Sequence, residues 1–185
     1  MVSRLPDLQP NDLSPAQRQV YDQIVQGPRG KISAPFMAML HSPPLASVLE
    51  KVGVYLRYET GVPARTRELA VLVVCAHFRC GYEWSSHAPL AIAAGVRADV
   101  VAAIGAGREP EGLDDADALV MGVARELVAN GRVGAPLYEA ALAMFGEERL
   151  VDLTAMVGYY TMLAMTINAH EVPAAPGTVL PWGGI

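Results

Sequence analysis

The segment PARTRELAVLVVCAHFRCGYEWSSHAPLAIAAG, Pro63 to Gly95, decides how the rest of the chain is read. Its first half opens on a proline and a polar turn, Arg65 to Glu68, and then runs apolar on nearly every side to Ala76. A helix of that kind has no polar stripe to give to water, so its place is the centre of a bundle. VLVV taken alone would suit a strand, but too few turn signals surround it. Gly81 is expected to break the chain. YEWSSHAPLAIAA then forms a further helix closed at Gly95, bent where Pro89 removes one backbone hydrogen bond.

Outward from this segment the signals stay helical. Ser14-Pro15-Ala16-Gln17 combines an N-cap, a proline at the first helical position and a capping-box partner, and opens a helix to about Gln26. GPRGKISAPF reads as a loop. A helix from near Pro44 through VLEKVGVYLRYE stops at Thr60-Gly61. A short helix near ADVVAAI is followed by the loop GAGREPEG, and Asp114 caps DADALVMGVARELVA, which ends at Asn130-Gly131. PLYEAALAMF and EERLVDLTAMVGYYTMLAMTINAH are two helices separated by Gly146. The tail EVPAAPGTVLPWGGI cannot be helical; its prolines and Trp182 suit an extended arm docked on a neighbouring subunit or over a pocket. The fold class is all-α. RTRELAVLVV and EERLVDLTAMV look alike, as two apolar helices of one bundle would for packing reasons alone.

At 185 residues the chain is long enough for one well-buried core. Hydrophobic residues make up 52% and charged residues 18%, a globular balance. A net charge of −5 with no run of Lys or Arg argues against a nucleic-acid partner. Pro6 and Pro10 interrupt the N-terminus, and no uninterrupted apolar run reads as a bilayer span, so no membrane partner and a cytoplasmic location are expected. Cys75 and Cys80, five apart, would point to different helix faces, which argues against a disulfide between them. Cys75 reads as a small buried hydrophobe.

The chemistry lies in CGYEWSSH, Cys80 to His87. On a helix starting near Cys80, Glu83 and His87 fall at i+3 and i+7, so all three share one face. Cys80 would sit where helix amides favour a thiolate. Glu68 stands twelve residues before Cys80. Spacing alone leaves two readings open: a common site, or an exposed Glu83–His87 pair with Trp84 facing inward. His77 reads as a buried or interface histidine; His41 and His170 receive no role.

The stretch RTRELAVLVVCAHFRCGYEWSSHAPLAIAAGV resembles the core of the carboxymuconolactone decarboxylase-like superfamily, which also holds the AhpD alkylhydroperoxidases. There a glutamate precedes a helix-starting Cys-x-x-Cys and a following histidine, positions that fall on Glu68, Cys80, residue 83 and His87. GYYTMLAMTINAHEVP is similar in character to the family's closing helix. The resemblance implies an AhpD-like helical bundle in one domain, with residues 1–40 as an N-terminal extension carrying one helix, 41–172 as the family domain and 173–185 as the tail. Glu83 replaces the peroxide-attacking cysteine, which argues against dithiol peroxidase chemistry.

What the resemblance then implies is a lyase or isomerase on a small unsaturated or cyclic acid, needing no metal or organic cofactor. His87 and Glu83 would donate and accept protons, and Glu68 would orient the histidine. Arg65 or Arg67 would hold a substrate carboxylate, or be surface charges of a first helical turn. Three other readings stay open: a thiol oxidoreductase using Cys80 with an external thiol, a metal held by the same cluster, and a non-catalytic helical module. The partners expected are a small-molecule substrate and further copies of the chain, as a trimer or hexamer.

Overall fold

The computed structural model describes residues 3–183, and every helix or strand assigned among them is a helix. Packing groups them into two compact units: the residues up to Thr60 with Ile167–Pro173, and Gly61–Thr166 with the segment from Ala174. This grouping cuts inside the expected 41–172 domain.

In the first unit, α1 (Pro15–Gln26) starts as the sequence dictates: Ser14 Oγ accepts from the Gln17 N–H, and Gln17 Oε1 accepts from the Ser14 N–H. α2 (Ala34–Met39) lies in the stretch read as a loop, so the first forty residues hold two α-helices where one was expected. Six residues are too few for a periodic signal, and no side chain caps it; burial of Phe36 and Met39 holds it instead. α3 (Pro43–Val54) packs on both and continues as a π-helical turn, Tyr55–Glu59, where the Thr60 N–H donates to the Tyr55 carbonyl. Leu45, Val48, Val52, Tyr55 and Tyr58 form an exposed apolar row along it. The N-terminal segment is tied to the chain after the last helix by the Arg4 N–H to the His170 carbonyl and by Arg4 to Glu171.

The second unit is built around α4 (Ala64–His77), which packs against α5 (Gly81–Ala93), α6 (Ala98–Gly105) and α7 (Asp115–Asn130). Every residue from Glu68 to Cys75 is buried, as expected of a helix without a polar face. The turn into α5 is made by Arg79, at φ 49°, and not by Gly81, which is already helical. Asp114 caps α7 by accepting from the Asp117 N–H, and Gly131 closes it at φ 69°. α8 (Ala135–Ala169) contains the two expected helices as arms of one bent element, broken at Gly146 (φ 76°, ψ 170°). Contrary to the expectation from uninterrupted apolar runs, α8 is long and apolar enough to cross a membrane, but 56% of its most apolar stretch is buried inside the protein, as in a core helix.

The described part of the tail is non-helical and lies against helices of its own unit. The missing side chains of two glycines make room for it. A Cβ on Gly81 would come 2.8 Å from Leu180 Cδ1. One on Gly105 would come 2.6 Å from Pro181 Cγ and 2.7 Å from Trp84 Cζ2. Trp182 packs edge-on against Trp84 at 5.4 Å. Leu180 can turn aside, whereas at Gly105 two rings close from opposite directions. Gly105→Ala should therefore release the tail and lower stability by about 1–3 kcal/mol. The readouts are a melting curve and chymotryptic cleavage after Trp182 followed by mass spectrometry. Gly158→Ala, in α8 with nothing within 4 Å of its added Cβ, should raise stability by about 0.5–1 kcal/mol and leave the tail protected.

Candidate functional site

α4 contributes Glu68 from its second turn, and α5 contributes Glu83 and His87 one turn apart on the side packed against α4. His87 Nδ1 lies 2.6 Å from Glu68 Oε2, and His87 Nε2 lies 3.2 Å from Glu83 Oε2. The second oxygen of Glu68 accepts from Arg67 Nε at 3.1 Å. His87 is 1% exposed, Glu68 3% and Glu83 6%. Of the two readings left open by spacing, the geometry selects the shared face: Glu83 and His87 are not an exposed pair. Trp84 does face inward, toward Gly105 and Trp182.

Burial works against the charge on both main partners and is overcome in both. It pushes the Glu68 carboxyl up, but the hydrogen bond and charge of His87, followed by those of Arg67, leave it below the usual carboxylate value. It pulls the imidazole toward neutrality, but the hydrogen bonds and charges of Glu68 and Glu83 leave His87 raised. A carboxylate and an imidazolium at 2.6 Å form a charge-assisted hydrogen bond. Tyr160, buried on α8, stands edge-on to the imidazole at 5.0 Å and fixes the ring plane. Reading of the sequence missed Tyr160 as a site residue. The GYYTMLAM motif was its one available signal.

Cys80 occupies the N-cap of α5, as expected, but its thiol is not activated there. It is 0% exposed, and its pKa is pushed up to about 12, first by burial and further by the Glu83 charge, against the amide hydrogen bonds of Glu83 and Tyr82. The helix-terminus effect, worth about 0.3–1 kcal/mol near a surface, loses to desolvation. Cys75, also free and buried, is raised well above its ordinary value.

The two arginines separate. Arg65 is a structural clamp, with Nε 3.1 Å from Asp117 Oδ1, Nη2 2.5 Å from Asp117 Oδ2 and a further hydrogen bond to the Gly95 carbonyl. It is committed to α7 and not to the cluster. Arg67 does reach the cluster, through Glu68, so it is not a free surface charge. His77 is exposed in the chain, so it is not the buried histidine of that reading, and it lies beside Phe78. Among the described residues no three His, Cys, Asp or Glu side chains are grouped so as to hold a metal ion.

Residues 43–126 match the carboxymuconolactone decarboxylase family model, a span that contains all of Glu68, Cys80, Glu83 and His87. No curated protein matches the sequence. Among solved structures, the chain is similar to an uncharacterized peroxidase-related protein with an alkylhydroperoxidase AhpD core from Ralstonia eutropha JMP134, with a TM-score of 0.77 and 17% identity over 95% of this chain and 94% of that one. An uncharacterized peroxidase-related protein from Silicibacter sp. TM1040 gives 0.74 and 14%, over 94% and 92%. A variant of the debrominase Bmp8 in complex with 2,3,4-tribromopyrrole gives 0.74 and 15%, over 95% and 94%. At such identities the likeness is one of fold. Residues 43–126 thus carry a likeness to the carboxymuconolactone decarboxylase family, and the fold of the chain is that of proteins with an AhpD core.

Proposed function

We propose that the Glu68–His87–Glu83 cluster is a proton-transfer site and that the protein is a cofactor-independent lyase or isomerase on a small unsaturated or cyclic acid. The observation that carries this reading is a fully buried imidazole with a carboxylate on each ring nitrogen, one held at 2.6 Å and the other at 3.2 Å. The short contact fixes the ring. The longer one leaves the Nε2 side as the exchangeable face, with Glu83 the most exposed of the three groups. Protonated His87 donates from both nitrogens, and loss of the Nε2 proton leaves Nδ1–H on Glu68.

In a decarboxylation the bond to the departing CO2 breaks and its electron pair enters the conjugated acceptor. His87 Nε2 then delivers a proton to carbon and regains one through Glu83. In an isomerisation Glu83 takes a proton from one carbon, and the pair returns it to another. Glu68, fixed by Arg67, holds the charge of the imidazolium throughout. A thiol near 12 supplies almost no thiolate at neutral pH, which favours proton transfer over thiol chemistry at Cys80. We further propose a homo-oligomer, supported by the exposed row Leu45, Val48, Val52, Tyr55 and Tyr58.

The test of the reaction class is CO2 release and solvent deuterium incorporation across a panel of unsaturated lactone acids. Glu83→Gln and His87→Gln should each lower the rate by about a hundredfold or more, the typical worth of a positioned acid or base. Reduction of an organic hydroperoxide by the parent with an external thiol, at a rate Glu83→Gln leaves unchanged, would overturn the reading.

The protonation states also predict a stability profile. His87, raised above its ordinary 6.5, contributes stability that is complete below 6.5 and lost as pH rises through its folded value. Glu68, lowered from 4.5, contributes stability that is complete above 4.5 and lost as pH falls through its folded value. The pair therefore stabilises most between these two values. Melting temperatures across the pH range should show His87→Gln flattening the alkaline limb and Glu68→Gln the acid limb. For assembly, light scattering should give a multiple of the chain mass, and Val48→Glu with Val52→Glu should reduce it; a parent already monomeric at micromolar concentration would dispose of the oligomer.

A further inference from the structure

The second unit carries a cavity of about 700 Å³ whose lining includes none of Glu68, Cys80, Glu83 and His87. Its size falls within the ~300–1,000 Å³ of small-molecule sites. Val73, Ile104 and Val128 supply apolar wall, and Pro181 and Trp182 of the tail close another side. That closure is built in, because Pro181 lies in the room left by the missing side chain of Gly105.

The charged lining is mainly cationic, with Arg79, Arg108 and Arg125 against Glu109. Arg125 is paired with Glu109 at 2.5 Å, but Arg79 and Arg108 also line the cavity and have no ion-pair partner among the described residues. The Trp182 indole N–H is buried and has no acceptor among them either. A buried donor left unpaired costs roughly 1–3 kcal/mol, which an acceptor on a ligand would relieve. Arg79 also holds a left-handed backbone, φ 49°, at the turn that sets it on the cavity. That conformation is uncommon and unfavourable for a residue with a Cβ.

We propose that this cavity binds a small organic carboxylate with an apolar or aromatic body. Its carboxylate is held by Arg79 and Arg108, and its body lies against Ile104, Val128 and Trp182. Guanidinium groups match a carboxylate in geometry and charge, and the indole supplies both an apolar face and the unpaired N–H. The site is separate from the proton-transfer cluster and does not depend on its chemistry.

The chain has two tryptophans, so fluorescence of the whole protein reads the cavity directly. Phenylacetate, cinnamate and hexanoate are titrated in turn, with neutral phenylacetamide as the control. At least one carboxylate should saturate the signal. Phenylacetamide, and the exposed-surface double variant Arg79→Ala with Arg108→Ala, should each give binding weaker by about tenfold or more, the worth of one charge-assisted hydrogen bond. Trp182→Phe should remove most of the signal, and His87→Gln should bind as the parent does, which separates this site from the cluster. The proposal is overturned by any of three results: no saturation by any carboxylate up to about 10 mM, phenylacetamide binding as well as the acids, or a folded double variant binding like the parent.

Discussion

The hydrogen bond between His87 and Glu68 sets the terms for the rest of the second unit. Each group is almost wholly withdrawn from water, and a buried charge whose partner is missing costs about 3–5 kcal/mol. α4 and α5 must therefore meet in the one register that brings an atom of residue 68 within 2.6 Å of an atom of residue 87. Around that contact the unbroken buried run from Glu68 to Cys75 supplies the apolar surroundings. These exclude water and raise the cost of separation, while the hydrogen bonds and charges of the partners keep the pair ionic against that burial. The packing that stabilises the helices therefore opposes the charges, and the partners' electrostatics prevail over it.

That environment also sorts the reactive groups. Glu68 and His87 each gain a partner that outweighs desolvation; Cys80 and Cys75 do not, and burial holds both thiols protonated. Glu83 sharpens the division, since its carboxylate favours a proton on His87 and opposes a thiolate on Cys80. A glutamate at this position thus does more than remove a cysteine from a Cys-x-x-Cys pattern. It adds a charge that supports the proposed proton-transfer chemistry over thiol chemistry.

Much of this was legible in the sequence because it rests on local rules. The capping box at Ser14, the Asp114 cap and the glycine close at Gly131 are set by side chains within a few residues. The common face of Cys80, Glu83 and His87 follows from helical spacing. What escaped was decided by contacts distant in sequence. α2 is held by burial of Phe36 and Met39, and Tyr160 comes to His87 from a helix more than seventy residues on. Arg65 looked suited to a substrate until its partner Asp117, fifty-two residues away, was placed. The Cys80 thiol was misread for a related reason: helix position is local, whereas desolvation is a property of the assembled fold.

Gly81 shows most clearly why such readings need the fold. It reads as a helix break, yet the left-handed turn belongs to Arg79 and Gly81 is open space for Leu180. α5 consequently presents two faces to two tasks. Glu83 and His87 meet Glu68 on one, while Trp84, turned about 100° from Glu83 by the helix, meets Trp182 on another. The 2.6 Å contact to Glu68 is reinforced by Arg67, whereas the contact between Glu83 and His87 is the longer one, at 3.2 Å. That is the contact on the exchangeable side of the imidazole. One short helix thus seats the C-terminal tail on one face and holds the buried carboxylate–imidazole contacts on another.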